Sequence, residues 1–140
     1  PPMSYDNPNR QQYSFGVFDF GGSADETFSI KGPKGKKGRL YDYGVYGCIE
    51  VMNGGTITPK ISVGTTSDPD AYGDELVLHA LADNDATSIR MLYSEQDAGF
   101  STAMVDRNLP ADTEIYVTCI VATGSPTGQA VPFVIIDWAN

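Results

Sequence analysis

Ala130-Val131-Pro132-Phe133-Val134-Ile135-Ile136-Asp137-Trp138 is a nearly all-apolar run close to the end of a 140-residue chain. It is far shorter than the roughly 18 residues a membrane-crossing helix needs. Its β-branched and aromatic content suits a central strand covered on both faces. Upstream, Thr113 to Thr123 has the same character, with Ile115, Val117, Cys119 and Val121, and Gly124-Ser125-Pro126-Thr127-Gly128 supplies the turn between the two runs. Leu40 to Met52 is the strongest β segment of the first half: it carries Tyr41, Tyr43, Val45, Tyr46, Ile49 and Val51, bends at Gly44 and Gly47, and stops at Asn53-Gly54-Gly55.

Shorter strands are expected at Tyr13–Phe20, Thr27–Ile30, Thr56–Val63, Glu75–Leu81 and Ser88–Tyr93, separated by Gly, Pro, Asn and Asp clusters. The segment from Glu95 to Arg107 is expected to be a loop with a helical turn, followed by Leu109-Pro110-Ala111-Asp112. No long helical periodicity appears. The expectation is therefore all-β: one domain, residues 13–140, folded as a β-sandwich of jelly-roll or Greek-key type with eight or nine short strands, a barrel being the alternative. Residues 1–12 hold three prolines and almost no apolar periodicity, which reads as a flexible, extended N-terminal arm.

Nine basic residues stand against eighteen acidic ones. Five of the nine fall in Lys31-Gly32-Pro33-Lys34-Gly35-Lys36-Lys37-Gly38-Arg39, so this strap carries +5 and the rest of the chain −14. A net charge of −9 argues against a nucleic-acid binder, because phosphate neutralisation needs a broad basic face. The strap lacks the order of a phosphate loop, since Gly38 follows Lys37 where Ser or Thr belongs. Its three glycine triplets are too few for a collagen helix. Two readings stay open for it: a solvated, flexible connection between strands, or a contact to an acidic protein surface or a neighbouring subunit.

No apolar run is long enough to span a membrane, and the first thirty residues lack the charged-then-apolar pattern of a signal peptide, which reads as a soluble chain without a visible export signal. The start at Pro1 reads as trimming or processing. Cys48 and Cys119 lie in apolar runs and are expected to be buried thiols, a disulfide being the alternative if their strands are neighbours.

Asp68-Pro69-Asp70-Ala71-Tyr72-Gly73-Asp74-Glu75 begins like a calcium loop but places Tyr72 at the fifth position and His79 at the twelfth, so solvated turns are expected and no metal. His79 is the lone histidine, between Leu78 and Ala80, and reads as structural. No nucleophile elbow or activated cysteine is present, so no enzyme and no cofactor are expected. Tyr41, Tyr43 and Tyr46 are expected to straddle core and rim, and an exposed tyrosine or Trp138 beside polar groups would be needed for a sugar site.

The stretch from Phe28 to Trp138 resembles the small virion proteins of tailed bacteriophages, the capsid decoration or cement proteins. The resemblance rests on Phe28-Ser29-Ile30 running into the strap to Leu40, Thr58-Pro59-Lys60-Ile61-Ser62-Val63-Gly64-Thr65-Thr66-Ser67 into Asp68 to Gly73, Leu109 to Asp112, Ala122 to Gly128, and Pro132 to Trp138. It implies a β-sandwich made in the host cytoplasm that trimerises and clamps major capsid proteins on the outer face of the virion. Neither nucleic acid, membrane nor small-molecule ligand is then a partner. The arm and the strap become the contact candidates: Pro1, Pro2, Met3, Tyr5, Arg10, Lys31, Lys34, Lys36, Lys37 and Arg39. A glycan-binding β-sandwich of a phage fibre or adhesion structure is the alternative.

Overall fold

Strands form where the apolar runs lie, and two of them are long. The computed structural model describes residues 9–53, 59–78, 91–92, 105–121 and 127–139. Among these it contains β1 (Asn9–Ser14), β2 (Phe18–Asp19), β3 (Glu26–Ile30), β4 (Gly38–Asn53), β5 (Lys60–Gly64), β6 (Gly73–Val77), β7 (Met91–Leu92), β8 (Asn108–Leu109), β9 (Ile115–Ile120) and β10 (Thr127–Trp138). Ten strands replace the eight or nine expected, because the Tyr13–Phe20 run breaks in two and β8 forms where a lead-in was expected. Nor are all of them short: β4 has 16 residues and β10 has 12. The described end of the expected helical turn, residues 105–107, is irregular; its remainder, His79 and Asp83 to Asp85 lie outside the described residues.

All pairings are antiparallel and make two sheets. The larger runs β1-β10-β4-β7, with β2 also on β10 and β8 also on β4; the smaller runs β3-β9-β5-β6. Sheet neighbours such as β4 and β10, or β5 and β9, are far apart in sequence, so connections cross from one sheet to the other, as in Greek-key sandwiches. The core lies between the sheets: Leu40, Tyr43, Val45, Cys48, Val134 and Ile136 from the larger meet Ile61, Val63, Leu76, Ile115, Val117 and Cys119 from the smaller.

Coverage of both faces, expected of β9 and β10 alike, holds only for the middle of β10. In β9, buried Ile115, Val117 and Cys119 alternate with half-exposed Tyr116, Thr118 and Ile120, the pattern of a sheet with one wet face. In β10, Pro132, Phe133 and Val134 are all buried. Tyr46 meets Phe133 edge-on at 5.5 Å and its hydroxyl donates to Ser14 Oγ at 3.0 Å, bridging from β4 over β10 to β1. A proline inside a central strand removes a ladder donor. Here the Pro132 carbonyl accepts from Phe15 N, so its missing N–H lies on the side where β1 gives way to β2 and the ladder is already interrupted.

The arm was expected to end at residue 12, but Asn9 to Gln12 belong to β1, in register with Trp138 to Ile135. Backbone pairing builds this polar edge strand without apolar alternation, which is why composition alone assigned it to the arm. Cys48 and Cys119 are buried free thiols on opposite sheets. Burial raises the pKa of both, which keeps them protonated.

Candidate functional site

The strap is a fitted turn, not the loose connection its glycines suggested. Lys36 N donates to Pro33 O at 3.1 Å, and Gly35, at φ +77°, takes the third place of a type II turn, where a side chain would be strained. Gly35 N donates to Asp112 Oδ1 at 2.8 Å, tying the strap to the turn between β8 and β9. Asp112 itself sits at φ +55°, which Asp tolerates better than most residues. Ala139 N donates to Lys37 O at 2.8 Å and closes the other side.

Gly32 and Gly38 serve a different purpose from Gly35. A Cβ on Gly32 would fall on the indole ring of Trp138, and one on Gly38 would come within 2.6 Å of it. The strap therefore lies directly on Trp138, which is 2% exposed. The indole N–H donates to Tyr13 Oη at 2.8 Å, and that hydroxyl donates onward to Gln11 Oε1, so strap, β10 and β1 form one packed unit.

Charge is laid over this frame. Lys31, Lys34, Lys37 and Arg39 are exposed, and none of them has an ion-pair partner among the described residues. Lys36 is half-buried and engaged. Across the larger sheet, Arg10, Asp137 and Arg39 occupy one row on β1, β10 and β4. Arg10 grips Asp137 through two hydrogen bonds of 2.6 and 2.9 Å and stacks on the Tyr41 ring at 3.6 Å. These contacts, the hydrogen bond to Asp137 foremost, raise its pKa. Arg10 is thus a staple between β1 and β10, while Arg39 carries the strap's charge onto the outer sheet face.

The start of β1 and the strap meet at one end of the sandwich. Asn9 pairs with Trp138 and Trp138 pairs with Gly38, so whatever precedes Asn9 joins the body beside the strap. Pro1, Pro2, Met3 and Tyr5 lie outside the described residues.

Of the tyrosines singled out, Tyr43 is buried, Tyr46 half-buried and Tyr41 exposed, so they do straddle core and rim. Trp138 is sealed beneath the strap and has no face for a sugar. In the Asp68 to Glu75 segment, backbone turns dominate: Asp68 O accepts from Thr65 N and Ala71 N, and Gly73 already starts β6. Among the described residues no three His, Cys, Asp or Glu side chains gather as metal ligands.

Sequence reasoning missed Asp112 and Trp138 as the strap's anchors. The signal available was the spacing Gly32, Gly35, Gly38, but the indole that fills it lies a hundred residues away in sequence. Comparison of the chain with protein-family models, with curated proteins and with solved structures finds no match.

Proposed function

We propose that this protein is a structural component of a phage virion, a homotrimer that decorates the outer capsid surface by docking on major capsid proteins. The observation that carries the reading is the convergence at one end of the sandwich of Asn9, the first described residue, and a strap seated on Trp138 whose Lys31, Lys34 and Lys37, with Arg39 just beyond it, have no ion-pair partner among the described residues. A strap already ordered by Trp138 and Asp112 loses little freedom on contact, which favours docking on a surface of opposite charge. Lys31, Lys34, Lys37 and Arg39 then meet acidic groups of the capsid protein, and the segment holding Pro1, Pro2, Met3 and Tyr5 extends the contact along the neighbouring subunit. Three copies acting together strengthen attachment beyond any single contact.

The test is light scattering for the oligomeric state, joined to co-sedimentation with emptied heads of the source phage at low and high salt. The expected result is a trimer that binds heads, with occupancy falling as salt rises and falling in the Lys31→Gln, Lys34→Gln, Lys37→Gln triple variant. A strictly monomeric protein that leaves the heads bare would overturn the proposal.

A further inference from the structure

A groove on the outer face of the smaller sheet differs in chemistry from the strap. Its floor is Thr27 of β3 with Tyr116 and Thr118 of β9, brought side by side because Thr27 pairs with Thr118 and Ser29 with Tyr116. Its wall is the loop after β5, contributing Thr65, Thr66 and Pro69, and the volume of this open groove is about 320 Å³.

The wall is held in place from beneath. A Cβ on Gly64 would collide with the carbonyl of Asp68, so the loop folds directly back onto β5. Thr65 N donates to Asp68 O at 2.9 Å, Asp68 N donates to Thr65 Oγ1 at 3.0 Å, and Ser62 Oγ, itself buried, donates to Pro69 O at 3.0 Å. On the floor, the neighbouring Glu114 carboxylate raises the pKa of the Tyr116 phenol.

None of the six lining side chains is charged. Thr27, Thr66 and Thr118 offer hydroxyls that both donate and accept, those of Thr27 and Thr118 3.5 Å apart, while Thr65 Oγ1 is taken up by Asp68; methyl groups, a proline ring and the Tyr116 ring lie among them. An anion finds no cation here and meets a protein of net charge −9. A wholly apolar ligand would strip water from the hydroxyls without replacing those bonds. The ligand that satisfies both halves of the lining is neutral, ringed with hydroxyls, and carries an apolar C–H face. We infer that this groove is a subsite for one neutral pyranose ring, with Tyr116 as its stacking platform and Thr27, Thr66 and Thr118 as its hydroxyl partners. The size is at the low end for a small-molecule site, which implies weak, millimolar binding. This inference stands apart from the docking proposal, since it uses another face and none of the strap's charges.

The test is a titration of the isotope-labelled full chain, followed by amide NMR, with the methyl glycosides of glucose, galactose, mannose and N-acetylglucosamine. N-acetylneuraminic acid serves as the anionic arm and cyclohexanol, with a single hydroxyl, as the mainly apolar one. At least one neutral glycoside is expected to give saturable shifts centred on Thr27, Thr65, Thr66, Tyr116 and Thr118. Tyr116→Ala should weaken it about tenfold. Thr118→Val, which keeps the shape and removes one hydroxyl, should weaken it as well and covers the case in which the alanine variant misfolds. The inference is overturned if no neutral glycoside shifts these residues, if shifts arise elsewhere, if either control arm binds more tightly, or if the folded variants bind as well as the parent.

Discussion

The strap at residues 31–37, with glycines at 32 and 35, and the loop at residues 65–70, which follows Gly64, are both connections of proline and polar residues that fold back against a strand. In each, a glycine is required because another group occupies the space of its side chain: the Trp138 indole at Gly32, the Asp68 carbonyl at Gly64. They differ in what they present. The strap holds exposed lysines over a buried aromatic, whereas the loop turns neutral hydroxyls toward a groove. A glycine-rich stretch can thus be closely packed, and its composition does not tell whether it is mobile. Its charge is the better guide to what it meets.

The comparison is tested most severely by Trp138→Ala. Emptying the indole site should cost about 3–5 kcal/mol in chemical denaturation and speed amide exchange across residues 32–38, with residues 65–70 unchanged. If exchange in the strap stays slow in this variant, Trp138 is not its seat. Next, Gly32→Ala and Gly64→Ala should each cost about 1–3 kcal/mol through overpacking. Their NMR perturbations should not overlap, the first confined to the strap and Trp138 and the second to the groove wall. A smaller loss, about 0.5–1.5 kcal/mol, is expected from Asp112→Ala, which removes the carboxylate that holds Gly35 N. Asp112→Asn keeps an acceptor there and should recover most of that loss. Least of all, the triple Lys31, Lys34, Lys37 to Gln variant should unfold within about 0.5 kcal/mol of the parent, because exposed cations without partners contribute little to the fold. A larger change would mean that the strap's charge serves folding.

Much of the fold was legible because apolar runs report strands directly: the stretches at 40–52, 113–123 and 130–138 each mark one, although β4 and β10 run a few residues beyond theirs. β1 was not, because Asn9, Arg10, Gln11 and Gln12 carry no apolar alternation and are held by backbone pairing to β10 and by the Arg10 grip on Asp137. The strap's charge was equally plain, but its rigidity was hidden, since Gly32 and Gly38 look like linker residues until register places Trp138 beneath them. The groove left a faint trace in the alternation of Glu114, Tyr116 and Thr118 against Ile115, Val117 and Cys119. Which polar face met Thr27 depended on strand pairing, and composition carries no information about that.

The seat under the strap also has an optical consequence. Trp138 is the chain's single tryptophan, so all of its indole fluorescence arises beneath the strap. A partner that merely rests on the lysines should leave the emission blue and shielded from iodide. One that lifts the strap away should shift it to the red and open it to quenching. The unlabelled protein can therefore distinguish the two modes of attachment within a cuvette.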